Sequence, residues 1–354
     1  MQSSESPSAG ATWISRVYPV GFVVVVLAVL SSFLAIPDFS PATLSENFHW
    51  RAQLIQYFNT ARMMAGDRLF NAAVIADKGW IMVLGDESIP EYQHTNRMTR
   101  NELKAVQANL SDMQAYLQKQ RRTFLVVIPP DKSTIYGPQH MPAQIPVFQG
   151  GSRLDQFENY MRAHSTVQIL DLRAALSEAS KTEDVYYHTD THWNDAGAYV
   201  GYVEILKALS AEYPSLQAHP KSDFNRYYAV ETRDLPPIMG IPQVQEGSWY
   251  LRPKSPTRTI SKWISLHDGR VLGFTSAAGP NLPSLLLLHD SFYDIGLYKF
   301  LELHFGLTVA VPTSGDPAVW SADWVRMVPS DIVMIEVTER FLDHLVSMVA
   351  TFDK

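Results

Sequence analysis

Two stretches of the chain carry side chains fit for chemistry. His188-Thr189-Asp190-Thr191-His192 sets two imidazoles and a carboxylate at alternate positions, and Trp193-Asn194-Asp195 follows. In an extended segment alternate residues face the same way, so the three can converge. Three uses fit them. They could ligate a metal as two imidazoles and a carboxylate. Asp190 could fix the tautomer of His192, which would take a proton from a serine. Or Asp190, Asn194 and Asp195 could only cap the next helix while the histidines bond locally.

The second stretch is Leu285-Leu286-Leu287-Leu288-His289-Asp290-Ser291-Phe292, an apolar run that stops at a hydroxyl before an amphipathic segment. A strand end fixes the Cα of such a serine, and a helix N-terminus behind it favours negative charge. Asp-Ser turns also merely cap helices. Ser291 gains weight because Asp190 and His192 supply an acid and a base elsewhere in the chain. His289 is a candidate further ligand for the metal reading.

These residues need elements to hold them. Leu103, Val106, Leu110, Met113 and Leu117 recur at spacings of three and four, an apolar helical stripe opened by a Thr99/Glu102 capping box. Thr123–Ile128 reads as a fully buried strand ended by Pro129-Pro130. The segment after it carries Lys132 and Tyr136, in the kind of loop where α/β proteins keep their sites. A helix around Leu154, Phe157 and Met161, a short strand near Ile169, and a helix through Tyr199, Val203, Leu206 and Leu209 follow. Residues 215–283, rich in Pro and Gly, read as an irregular β-containing insertion. Apolar runs at Leu307–Val311 and Ile332–Val337 complete an alternation of strands and helices. That alternation predicts a mostly parallel sheet covered on both faces.

Composition sets the class. Hydrophobic residues at 46% and charged residues at 18% of 354 describe a folded protein. A net charge of -7 argues against nucleic acid as a partner. Absence of cysteine removes disulfides, thiol nucleophiles and thiolate metal sites. Residues 1–16 read as a cytoplasmic tail. Residues 17–36 are uncharged and Val-rich, about enough to cross a ~30 Å hydrocarbon core as a helix. A cleaved signal peptide is the rival, but the run is long for one, and Phe33-Leu34-Ala35 puts a bulky residue where a small one is wanted. Arg16 before the run and Asp38 and Glu46 after it place the rest outside the cytoplasm. Residues 37–75 read as a tether and first helix, and 76–354 as the main domain.

Several motifs together resemble the alginate O-acetyltransferase family (AlgJ and AlgX), whose catalytic domain is similar to SGNH hydrolases. Asp190-Thr191-His192-Trp193 resembles its Asp-x-His-Trp motif, and His289-Asp290-Ser291-Phe292 its Gly-Asp-Ser-Phe-like block. Lys78-Gly79-Trp80, Pro130-Asp131-Lys132 with Tyr136, and Ile335-Glu336-Val337-Thr338-Glu339-Arg340 resemble further family blocks. The resemblance implies a circularly permuted, three-layer α/β/α sandwich with a parallel sheet. It implies Ser291 as nucleophile, His192 as general base and acid, and Asp190 as the residue orienting it. Lys132, Trp193, Tyr293 and Arg340 become candidates for a polysaccharide groove. His289 stands where the family has glycine, which leaves the Ser291 N–H as the oxyanion donor to name. The implied activity is acetyl transfer to an exopolysaccharide through an acetyl-serine, with a membrane-bound O-acyltransferase as donor and no cofactor. The implied place is the inner membrane of a bacterium, single-pass, with the catalytic domain in the periplasm. A carbohydrate acetylesterase with the same triad, and a non-catalytic polysaccharide-binding or assembly subunit, are the alternatives.

Overall fold

The computed structural model describes residues 51–254, 259–266, 269–276, 281–313 and 322–348. The expected tail at 1–16 and anchor at 17–36 lie outside the described residues. Among the described residues, no helix is long and apolar enough to cross a membrane. The chain divides into two compact units, residues 1–58 and 59–354. The described part of the first is the beginning of helix α1 (Arg51–Met64). Everything below belongs to the second.

The second unit opens with a small hairpin, β1 (Ala73–Ile75) and β2 (Ile81–Val83), turned through Lys78 and Gly79 at φ of 54° and 82°. It straddles residue 76, where the sequence places the start of the main domain. Helix α2 (Arg100–Lys119) carries the Thr99/Glu102 capping box and buries the predicted stripe from Leu103 to Leu117. Strand β3 (Thr123–Ile128) ends at the proline pair. The segment after it is helix α3 (Lys132–His140), not a loop, because Ile135 and Tyr136 bury one face against the sheet. Then come α4 (Arg153–His164), β4 (Ile169–Asp171), α5 (Arg173–Ala179) and α6 (Asp195–Leu209). The insertion holds two antiparallel ribbons, β5 (Phe224–Glu231) with β6 (Glu246–Pro253), and β7 (Thr259–Leu266) with β8 (Gly269–Ser276). Strands β9 (Ser284–His289), β10 (Leu307–Pro312) and β11 (Ile332–Glu336) follow.

Five strands form one parallel sheet in the order β10-β9-β11-β3-β4. Alternate residues feed two cores. Leu125, Val127, Leu285, Leu287 and Met334 pack with residues of α3, α5 and α6, and Val126, Ile128, Leu286, Leu288 and Ile335 with those of α2 and α4. Both faces are covered, which is why these strands read as unbroken apolar runs. Parallel pairing also brings the strand ends His289, Glu336, Ile128 and Asp171 to one edge, where loops of α/β sheets carry function.

The N-terminus of α6 is set by Asn194, whose side chain accepts from the N–H groups of Ala196 and Gly197 at 2.9 and 3.1 Å. A Cβ on Gly197 would lie 2.1 Å from the Val185 carbonyl oxygen and 2.9 Å from Trp193 Cβ. Only glycine lets the helix approach that closely. Gly197→Ala is expected to destabilise the protein by about 1–3 kcal/mol, the usual range for overpacking. Gly85→Ala, where a Cβ meets nothing within 4 Å, is expected to stay within about 0.5 kcal/mol of wild type. Urea unfolding of the two variants checks the contrast, and equal effects would refute it.

Candidate active site

Ser291 lies one residue beyond the end of β9, after Asp290, and begins a helical turn. Its Oγ lies 2.7 Å from His192 Nε2, and His192 Nδ1 lies 2.7 Å from Asp190 Oδ1. Asp190 also accepts the His192 backbone N–H at 3.0 Å. Burial pushes the Asp190 carboxyl up, but the hydrogen bond and charge of His192 outweigh it and hold it below the ordinary range. An ionised Asp190 therefore accepts a hydrogen bond from Nδ1–H and leaves Nε2 as the acceptor facing the serine, the arrangement for drawing a proton off a hydroxyl.

The segment 187–192 is not extended. It bends, closed by a bridge between Tyr186 and Trp193. His188 therefore turns away from Asp190 and His192, its Nε2 2.9 Å from Asp184 and its ring stacked on Trp80 at 4.1 Å. His289 is buried, its Nδ1 on the Asp290 carbonyl at 2.8 Å. The alternating set that a metal reading would need is thus not brought together. Among the described residues, Asp190, His192 and Asp234 come within ligating distance of one another. Both imidazole nitrogens there already face partners, Asp190 and Ser291.

Two sets of groups grip the bend from opposite sides. Lys132 Nζ donates to the carbonyls of Tyr187, His188 and Asp190 at 3.3, 3.2 and 2.5 Å. From the insertion, Glu246 accepts the N–H groups of His188 and Thr189 at 2.9 and 2.8 Å. Asp234 accepts the Thr191 N–H at 3.0 Å. Neither Asp234 nor Glu246 announces itself in the sequence. Each is one carboxylate in an aperiodic stretch more than 40 residues from its partner.

Trp193 ties the His192 bend to the Ser291 turn. Its indole Nε1–H donates to the carbonyls of Phe292 and Ile295 at 3.0 and 2.8 Å. Those carbonyls are free because the expected helix after Ser291 opens into a π-turn at Tyr293–Leu297, with Gly296 at φ 101°. Wide turns of this kind recur at functional sites.

Beneath the serine, the Asp290 carboxylate accepts from Phe292 N, Thr338 N and Thr338 Oγ1 at 2.9, 2.7 and 2.7 Å. Its own N–H donates to Glu336 at 3.1 Å. Burial, and then the nearby Asp290 charge, push the Glu336 carboxyl well above its ordinary range. Asp290 thus locks the serine turn onto the end of β11. His289 Nδ1 donates to the Asp290 carbonyl at 2.8 Å.

The four expected groove residues are a correction. Lys132, Trp193, Tyr293 and Arg340 are at most 5% exposed. Lys132 and Trp193 brace the loops as described. Tyr293 packs on His289 and donates to Glu302 at 3.2 Å, and Arg340 pairs with the buried Asp131 below the Phe292 ring. Large aromatic surface and paired buried charge favour the interior here, so these side chains hold the site and do not line a groove.

Lys132 offers a direct test of the bend. Burial pushes its ammonium down to about 8 from 10.5, against the pull of Asp190, Asp234 and Glu246. Below pH 8 it is charged in the folded and unfolded chains alike and adds no slope. Between about 8 and 10.5 the unfolded chain holds the proton that the folded one has lost, so stability rises with pH. The stability difference between wild type and Lys132→Met is expected to grow by roughly 3 kcal/mol across that window, at about 1.4 kcal/mol per unit. Urea unfolding at several pH values measures it, and a constant difference would sink the assignment.

No curated protein matches the sequence. Among solved structures, Bacillus cereus PatB1 with a sulfonyl adduct aligns at a TM-score of 0.56 and 16% identity, over 76% of this chain and 97% of that one. A DHHW family protein from Eubacterium siraeum aligns at 0.55 and 14%, over 78% and 93%. The O-acetyltransferase domain of Pseudomonas putida AlgJ aligns at 0.47 and 18%, over 80% and 95%. The first two likenesses are likenesses of fold. Residues 76–259, just over half the chain, match the family model described as SGNH hydrolase-like domain, acetyltransferase AlgX. This span takes in Asp190, His192, Asp234 and Glu246, and Ser291 lies beyond it. The chain belongs to this family of SGNH hydrolase-like acetyltransferase domains.

Proposed function

We propose that the protein is a serine O-acetyltransferase that places acetyl groups on hydroxyls of an exopolysaccharide, alginate-like or other, through an acetyl-Ser291 intermediate. The observation that carries this reading is the unbroken relay Ser291–His192–Asp190, with both links at 2.7 Å. Ser291 Oγ attacks the acetyl carbonyl carbon and its proton passes to His192 Nε2. The tetrahedral intermediate collapses, the bond to the donor breaks, and His192 returns the proton to the departing group. A sugar hydroxyl then gives its proton to His192 and attacks the acetyl-serine, and Ser291 leaves with that proton restored. The Ser291 N–H faces the developing oxyanion.

The insertion supplies a surface for the acceptor. Tyr228 and Trp249 pair across β5 and β6, about half exposed, with ring centroids 5.3 Å apart. The Arg226 guanidinium lies 4.2 Å over Trp249 on this face of the ribbon, and on the other face Arg252 lies 4.9 Å over Tyr227. Glu246, on the same strand, is bonded to the catalytic bend. Trp249 is three residues along from it, about 10 Å at the usual strand rise and on the opposite face of the ribbon. Aromatic faces flanked by cations suit sugar rings that carry acidic groups. Residues 17–36 would hold the unit at the periplasmic face of a bacterial inner membrane, beside a membrane-bound O-acyltransferase that delivers the acetyl group.

A serine-directed sulfonyl fluoride or fluorophosphonate is expected to label wild type and to leave Ser291→Ala unlabelled. Equal labelling, or none of wild type, would remove the catalytic reading and leave a binding subunit. Acetyl from a chromogenic ester should appear on oligosaccharides by mass spectrometry. Free acetate alone would make the enzyme an esterase. Trp249→Ala is expected to raise KM for a polymeric acceptor about tenfold, a loss of ~1.4 kcal/mol within the range of a stacking contact. Ester turnover without acceptor should stay within about twofold, and a parallel loss of both activities would argue against an acceptor role.

A further inference from the structure

Asp234 lies against the relay without belonging to it. Its Oδ2 stands 3.9 Å from His192 Nδ1. The Thr191 hydroxyl sits between them, 3.1 Å from Nδ1 and hydrogen-bonded to Asp234 Oδ2. A hydroxyl has one proton and two lone pairs. The carboxylate accepts that proton, so Thr191 turns a lone pair toward the imidazole. The Nδ1–H then meets two acceptors, Asp190 Oδ1 at 2.7 Å and Thr191 Oγ1 at 3.1 Å. The Thr191 N–H, donating to Asp234 Oδ1 at 3.0 Å, fixes the backbone from which the hydroxyl projects.

We propose that Asp234 is a positioning residue of the acid–base relay, acting through Thr191 to hold the His192 tautomer and to stabilise the imidazolium formed when Ser291 gives up its proton. The inference rests on the reading of His192 as the base. The insertion would then supply part of the catalytic machinery and not only a cover. Three carboxylates act on the imidazole: Asp190, Asp234, and Asp294 from the turn after Ser291. Lys132 and Arg233 act on those carboxylates from behind. The other neighbours of the ring, Ser291, Thr191 and the Phe292 ring at 5.1 Å, are uncharged. Burial, and then the Asp190 charge, hold the Asp234 carboxyl above its ordinary range while Asp190 lies below, so the two carboxylates are not equivalent.

Asp234→Asn keeps an oxygen for Thr191 and removes the charge, and Thr191→Val removes the hydroxyl and keeps the charge. Turnover of 4-nitrophenyl acetate across the pH range, with Ser291→Ala as blank, is measured beside NMR titration of the His192 ring, assigned by its loss in His192→Gln. An opposite charge this close moves a titration by about one unit or more. In Asp234→Asn the acid limb of the rate profile and the ring midpoint are expected to fall together by about one unit, with the plateau about tenfold lower. Thr191→Val should lower the plateau severalfold and move the limb less. A merely structural role would lower the melting temperature and leave the limb in place. An Asp234→Asn limb and midpoint that coincide with wild type would overturn the proposal. The ring titration needs no turnover, so an absence of Ser291-dependent activity defeats the catalytic reading and still decides whether Asp234 acts on His192. Should Asp234→Asn fail to fold, Thr191→Val decides: a wild-type plateau overturns the proposal, and a reduced one with a normal melting temperature supports it.

Discussion

The bend at residues 187–192 must be held by its backbone, and the rest of the site depends on that. It is neither helix nor strand; the Tyr187 N–H donates to the His192 carbonyl at 3.3 Å, and its other backbone groups need partners from elsewhere, because buried backbone groups left unpaired cost stability. The solution separates the two kinds of group. A lysine from the start of α3 takes three carbonyls, and two carboxylates from the insertion take three amides. The Thr189 carbonyl accepts from the Leu235 N–H at 3.3 Å. Cation inside and anions outside also attract each other across the bend. The result is a rigid turn that delivers His192 to Ser291 although neither residue lies on a long element.

The serine side is built on the same plan with other materials. The chain leaves β9 into a turn that a carboxylate, Asp290, pins to Thr338 beyond β11. Behind it lie Glu336, the Asp131–Arg340 pair, and Arg153 against Glu91 at 2.8 Å. Burial, against the pull of Arg340, holds Asp131 up, and burial, against the pull of Arg153, brings Glu91 up to about 7. Pairs this deep stabilise a fold weakly, because desolvation offsets their attraction. Their use here is geometric: the Asp131–Arg340 pair, for one, joins the segments leaving the neighbouring strands β3 and β11. Trp193 then joins the two halves through a single indole N–H shared between two carbonyls.

Much of this was legible in the sequence, and what was not has a common cause. Runs such as Leu285–Leu288 and Val333–Ile335 show a sheet covered on both faces, because burial on both sides leaves no polar alternation. Asp190, His192 and Ser291 could be named from residue type and spacing, although the alternation argument failed for His188. The bend that turns His188 aside is made by Asp234 and Glu246, which the chain brings in from more than 40 residues away. No periodicity records such contacts. Lys132, Trp193 and Tyr293 were misplaced for the opposite reason. The resemblance makes them groove candidates by residue type, whereas each has a specific interior partner, and a buried lysine is rare enough that composition argues against it. The partners, not the residue types, decide.

His289 shows how far a departure from a family pattern can be absorbed. His289 stands directly before Asp290, where the family pattern has glycine, two residues from Ser291. Its ring lies buried, and burial holds it below its ordinary range, in the neutral form. The Nδ1–H of that neutral ring donates to the Asp290 carbonyl. Its own carbonyl is held by Thr313, whose N–H and hydroxyl donate at 2.7 and 2.8 Å. The Asp290 carbonyl and the Ser291 N–H belong to one planar trans peptide, so they point in opposite directions. Fixing the carbonyl toward His289 therefore fixes the Ser291 N–H away from it. The histidine occupies the buried side of that peptide and orients the donor on the other.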